Sequence, residues 1–158
     1  MKTKVAYFGE SWFNPAQEAL RLKGTEAMKA NPTIDWDNSF VPIDHQYKGL
    51  LVSENPELLA DKEWQLATFN ADVQGMNNSD IVVAMYDPKM ENSDPGVVWE
   101  LGYAYGLHKA VYVVLPDEVE EDMNLMPAMG ATQIMKVSDL ATFDFNKGVY
   151  AIFDGAVY

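Results

Sequence analysis

No cysteine occurs anywhere in the 158 residues. Its absence excludes disulfides, thiolate nucleophiles and cysteine-held metals. Histidine is almost missing too. His45 and His108 are the only two, their spacing is not that of a ligand pair, and no metal site is expected. Positive charge is scarce: 11 Lys and Arg stand against 24 Asp and Glu, a formal charge of −13. Such a surface repels nucleic-acid phosphates and anionic membranes, so neither a nucleic-acid polymer nor a membrane is expected as partner. A small neutral substrate is compatible with it, and simple solubility explains the acidity equally well. No stretch approaches the apolar length of a membrane span. The N-terminal residues read as a strand without the apolar core and cleavage site of a signal peptide. A soluble cytoplasmic protein is the expectation.

Phosphate-binding motifs are missing as well. The first strand is followed by "GESWFN" (9–14), with one glycine and two bulky aromatics, not by G-x-G-x-x-G; no P-loop lysine and no G-x-S-x-G elbow occur. No dinucleotide or nucleoside-triphosphate cofactor is expected. Trp12 and Phe13 offer either a stacking face for a planar ring or ordinary core packing.

What is present is a chain of 48% apolar and 12% aromatic residues, enough for one domain over 1–158 with a real core. Short apolar runs at 4–9, 39–43, 80–86, 110–116 and 131–137 read as strands. Asn14-Pro15 opens a helix that Pro32 stops, Asn55-Pro56 opens a long helix over 54–76, and Pro95 opens a third that runs to His108. The loop 117–127 ends in "MNLMP", and a short helix is expected at "SDLATF". Apolar runs without alternation imply strands covered on both faces, hence a five-stranded parallel sheet in an α/β fold with helices on either side. Ligands of such sheets sit beyond the C-terminal strand ends.

Carboxylates are the remaining chemistry. Glu100 is the lone charge between Pro95 and Leu107. The helix N-terminus beside it favours the ionised form, whereas apolar surroundings favour the neutral one. Both a desolvated nucleophile and a surface acid in a first helical turn fit that position. Asp72 stands near the expected end of its helix, where the dipole disfavours an acid. Asp94 precedes Pro95 and reads as an N-cap. If the three converge at the strand ends, they form the paired-carboxylate apparatus of glycosyl transfer.

The segments "YFGESWF" (7–13), "NPTIDWDNSFVPIDHQYKG" (31–49), "ATFNADVQGMNNSDIVVAMY" (67–86), "NLM" (124–126), "DFNK" (144–147) and "FDGAVY" (153–158), and above all D-x-G-x-x-x-E-x-G-Y-A at 94–104, resemble the nucleoside 2-deoxyribosyltransferases that accept both purines and pyrimidines. The chain reads "HQYKG" where those enzymes carry a segment like "NQYKG". The resemblance implies a flavodoxin-like three-layer sandwich and no cofactor. It implies exchange of the base on a 2′-deoxyribonucleoside, with free nucleobases as co-substrates and retention at C1′. By the same resemblance, Glu100 is the nucleophile and Tyr7 orients it. Asp72 shuttles the base proton, and Asp94 binds sugar hydroxyls. Phe13 and Gln46 line the base site. Asn124 and Met126 reach a neighbouring subunit's site, and the carboxylate of Tyr158 closes the site near Tyr7. The implied assembly is a homohexamer, a trimer of dimers. Met123, Met126, Met129 and the aromatic tail suit an interface or ordinary core filling. Two alternatives remain: a hydrolase of deoxynucleoside monophosphates from the same superfamily, for which Ser93 offers a phosphate ligand, and a nucleoside-binding module without turnover.

Overall fold

The computed structural model describes residues 2–158. Four strands form one parallel sheet in the order β1 (Ala6–Gly9), β2 (Ile81–Met85), β3 (Ala110–Leu115), β4 (Gln133–Lys136). Ala6 pairs with Ile81, Ile81 with Ala110, and Tyr112 with Gln133. Because strand side chains alternate between faces, β1 to β3 divide their residues between two cores. One gathers Phe8, Val83, Met85, Tyr112 and Val114 with Leu20 and Met28 of α1 (Pro15–Ala30). The other gathers Tyr7, Val82, Ala84, Val111 and Val113 with Met76 of α2 (Lys62–Asn78), Val97, Leu101 and Ala104 of α3 (Pro95–Gly106), and Ala128 of α4 (Leu125–Gly130). Helices thus cover both faces, which is why the strands carry no polar alternation.

The expected fifth strand, 39–43, does not form. Among the described residues the segment makes two isolated bridges along this edge, Ile34 with Lys4 just before β1 and Phe40 with Tyr7 of β1, and swings away between them in a 3-10 turn, Trp36–Asn38. Phe40 N donates to Ala6 O at 2.8 Å and Phe40 O accepts from Phe8 N at 2.9 Å. The next donor that a parallel ladder needs belongs to residue 42, which is proline and has no N–H. On the other side, Ala6 N donates to Ser39 Oγ at 2.9 Å instead of to a backbone carbonyl. The segment then turns into a 3-10 helix, Pro42–His45.

Helix α1 starts where Asn14 and Pro15 place it; the Asn14 side chain accepts from Gln17 N. The long helix expected over 54–76 is broken. Asn55-Pro56 starts only a 3-10 turn, Pro56–Ala60, and α2 is capped afresh by Asp61, whose carboxylate accepts from Glu63 N and Trp64 N. A short helix, α4, occupies part of what reads as loop, opened by an Asn124 cap. The expected "SDLATF" helix is reduced to a 3-10 turn, Val137–Asp139. Among the described residues no helix is long and apolar enough to cross a membrane.

After β1 the chain passes to the edge at Ile34 and Phe40, then returns to pair β2 on the opposite side of β1. The strand order therefore switches between β1 and β2, where open α/β sheets place their ligands.

Candidate active site

Glu100 enters this switch point from α3. Asp94 fixes the start of that helix: its Oδ1 accepts from Gly96 N at 2.9 Å, and Pro95 occupies the first turn. Glu100 is not a surface acid. Tyr7, fully buried on β1, donates its hydroxyl to Glu100 Oε1 at 2.7 Å, while Glu100 Oε2 is shielded from solvent and has no hydrogen-bond partner. Gly9 makes the approach possible, since a Cβ there would stand 3.0 Å from Oε2. Burial pushes the Glu100 carboxyl up to about 8. The Tyr7 hydrogen bond opposes that rise, and the charges of Asp72, Asp94 and Glu10 add to it. Tyr7 is raised strongly by burial and by the neighbouring carboxylates, so it stays a donor at every physiological pH.

Asp72 and Glu100 line one cavity of about 320 Å³, walled by Phe69, Val73, Met76, Gly96 and Trp99. Burial raises the Asp72 carboxyl to about 6, and the positive charge of His45 works against that rise. The helix end does not explain this shift. Helix α2 continues to Asn78, so Asp72 lies well before the last turn, outside the reach of the C-terminal dipole. Asp94, whose charge adds to the rise at Glu100, borders a separate cavity and accepts from Ser11 at its Oδ2 at 2.7 Å. Two carboxylates from two helices therefore share one cavity, and a tyrosine from β1 is bound to one of them.

The other expected residues do not line this cavity. Phe13 is 63% exposed and leans on Trp12 with ring centroids 5.4 Å apart. Gln46 donates from Nε2 to Pro42 O at 2.9 Å, which leaves its Oε1 free at the edge segment. Asn124, Met126 and Tyr158 form a second group. Asn124 Oδ1 caps α4 by accepting from Met126 N, and Tyr158 exchanges backbone hydrogen bonds with Met123 and Leu125. Met126 is 75% and Tyr158 70% exposed. Among the described residues no hydrogen bond links Tyr158 to Tyr7. None gathers as three or more His, Asp or Glu around a metal position either.

Sequence reasoning missed the cavity's aromatic walls, Phe69 and Trp99, which touch at 5.5 Å. A signal existed. Phe69, Asp72, Val73 and Met76 follow the i, i+3, i+4, i+7 spacing of one helical face, as do Gly96, Trp99 and Glu100 over a single turn.

A parallel α/β sheet that holds a desolvated Tyr–Glu pair beside a second perturbed carboxylate has the groups that a group-transfer enzyme requires. The relatives narrow this class. A family model described as nucleoside 2-deoxyribosyltransferase matches residues 6–139. A nucleoside deoxyribosyltransferase of Lactobacillus johnsonii is 47% identical over 148 residues, 93% of this chain and 98% of that protein. One from Lactobacillus leichmannii is 44% identical over 159 residues, the whole of both chains. The solved structure of a 2-deoxyribosyltransferase from Bacillus psychrosaccharolyticus shares the fold, with a TM-score of 0.76 at 21% identity over 94% of this chain and 98% of that one. The chain belongs to the nucleoside 2-deoxyribosyltransferase family. It is a pentosyltransferase, and its reaction moves a 2-deoxyribosyl group between bases.

Proposed function

We propose that the chain, acting as one catalytic domain, exchanges the base of a 2′-deoxyribonucleoside through an ester on Glu100. The observation that carries this reading is the state of that side chain: one oxygen accepts from Tyr7 and the other is buried without a partner, beside a cavity shared with Asp72. An anionic oxygen stripped of water and left unpaired is a strong nucleophile toward an electron-poor carbon. Glu100 Oε2 attacks C1′ as the bond from C1′ to the base nitrogen breaks. The electron pair of that bond stays with the base, which takes a proton from the Asp72 carboxyl. A second base then attacks C1′ from the face the first one left and returns its N–H proton to Asp72, and the Glu100 carboxylate departs. Two inversions give net retention. The Tyr7 hydrogen bond lowers the nucleophile's pKa and holds Oε1 still, so that Oε2 is the atom presented.

Three further assignments belong to the same reading. Asp94 meets sugar hydroxyls, supported by its place between Ser11 and the start of α3. Phe13 and Gln46 border the base, on an exposed ring and a free amide oxygen. Asn124, Met126 and Tyr158 serve the site of a neighbouring copy, supported by their absence from the wall of the Glu100 cavity and by the exposure of Leu125, Met126 and Tyr158. The assembly expected is a hexamer, which sedimentation of the full chain tests. The chemistry is tested by supplying thymidine and adenine: deoxyadenosine and thymine are expected. Release of free deoxyribose alone would indicate a hydrolase, and unchanged substrates would indicate a binding module.

A further inference from the structure

Two loops meet at the strand ends, and side chains from the first loop and the start of α1 hold the second. The loop after β1 carries Ser11 and Phe13 into α1, and the loop after β2 carries Glu91, Asn92 and Asp94 into α3. Ser11 Oγ donates to Asp94 Oδ2 at 2.7 Å, Gln17 Nε2 to Asn92 O at 2.9 Å, and Asn14 Nδ2 to Glu91 O at 3.2 Å. Gln17 is buried, and both ends of its amide are used: Oε1 accepts from Phe13 N at 2.9 Å while Nε2 reaches Asn92. A glutamine three residues after a helix cap commonly turns back to satisfy the N–H groups before the helix, and the bond to Phe13 N is of that kind. The bond to Asn92 O is not, since it leaves the helix for a residue 75 positions away in the chain. The receiving loop is folded on itself, so a hold on Asn92 extends to Asp94. Asn92 Nδ2 donates to Asp87 Oδ2 at 2.7 Å, and Asn92 N and Ser93 N donate to Lys89 O at 2.8 and 2.9 Å. The cavity bordered by Ser11, Gln17, Asn92 and Asp94 is about 10 Å³. That is room for one water at most, so the Gln17 amide serves the protein and not a ligand.

We propose that Gln17 is a positioning residue of the transfer reaction: by joining Phe13 N to Asn92 O, it fixes the loop that presents a ring to the base against the loop that presents Asp94 to the sugar. The proposal rests on the places given to Phe13 and Asp94 above. Groups that meet the two halves of one nucleoside act together only when their spacing is set before it binds. The backbone does not set that spacing here. Among the described residues no backbone hydrogen bond joins residues 10–14 to residues 87–94, so the side-chain ties do. Asp94 also opens α3 through its bond from Gly96 N, so the same tie seats the first turn of the helix that carries Glu100.

The test is kcat/KM for thymidine, with adenine as acceptor, in the full chain and in Gln17→Glu, Asp94→Ala and the double variant. Glutamate at position 17 keeps an oxygen for Phe13 N, and with it the capping of α1, but has no donor for Asn92 O. Loss of that bond is expected to lower kcat/KM roughly three- to tenfold, mainly through KM. A residue that acts by placing Asp94 has little left to place once that carboxylate is gone. The double variant should therefore be no more than about twofold worse than Asp94→Ala. Should the glutamate variant not fold, Gln17→Met, which removes the donor without adding a charge, takes its place in the same cycle. Unchanged kcat/KM at position 17, or two effects that multiply in full, would overturn the proposal alone. Undiminished kcat/KM in Asp94→Ala would instead overturn the sugar contact, and the proposal with it.

Discussion

Two glutamates are buried beside the first strand of this sheet, and burial pushes both carboxyls up to about 8. Glu10, just past β1, lies against α1 with Arg21 Nη1 at 3.9 Å, and the Arg21 charge is the largest influence opposing its burial. Glu100 lies on the other side, against Tyr7 and Gly9. A raised carboxyl pKa is therefore not what marks the site. Glu10 has a cation beside it. Glu100 has a neutral donor that fixes one oxygen, a second carboxylate of different pKa, and about 320 Å³ of space before it. Glu10 is set against a cation, whereas Glu100 is held by a single hydroxyl at the wall of a cavity.

Substitutions separate the two. Glu100→Gln should abolish base exchange, by about a thousandfold or more if it removes the nucleophile, while Glu10→Gln should retain exchange within a few-fold; the thymidine and adenine assay reads both. Tyr7→Phe keeps the buried ring and removes one hydrogen bond to a charged group, worth about 1.5–3 kcal/mol. Its rate should fall roughly ten- to a hundredfold. Because that bond lowers the Glu100 pKa, the upper limb of the pH profile should also move to higher pH.

The profile itself sharpens the contrast. With Asp72 at about 6 and Glu100 at about 8, the pair holds one proton between those values. The reactive form also holds one, on Asp72 and not on Glu100, so it is the minor of the two one-proton arrangements, and kcat/KM should be bell-shaped with limbs near 6 and 8. Asp72→Asn should erase the falling high-pH limb, because no donor proton is left to lose, and Glu10→Gln should erase neither. The smallest effect is on stability. Glu10 has a folded pKa above its ordinary 4.5. The native state therefore binds the extra proton between about 4.5 and 8, and stability falls as pH rises through that window. Glu10→Gln should thus raise stability at pH 8 by about 1–3 kcal/mol and lose that advantage near pH 4, as thermal melts at the two values would show.

Much of this was legible in the sequence, and the limits have physical causes. The buried strands at 81–85 and 110–115 are continuous apolar runs, and α1 and α3 carry Asn-Pro and Asp-Pro starts that the structure uses as caps. The edge segment misled because "SFVPI" has strand composition, while Pro42 falls at the position whose N–H the ladder requires. Asn55-Pro56 carries the same start signal as Asn14-Pro15, but a nearby Asp61 cap outcompetes it. For Glu100, position alone left a surface acid and a buried nucleophile both open. What decides between them is Tyr7, a partner far away in the chain, and no local spacing reports a contact between a strand and a distant helix.

The central claim is that Glu100 Oε2, not another carboxylate, bonds to C1′. It is tested by incubating the protein with a deoxynucleoside alone, quenching in acid and mapping the adduct by peptide mass spectrometry. A deoxyribosyl ester on the peptide containing Glu100 is predicted, present in Glu10→Gln and absent in Glu100→Gln. An adduct on Glu10 or Asp72, or one that persists in Glu100→Gln, would contradict the account.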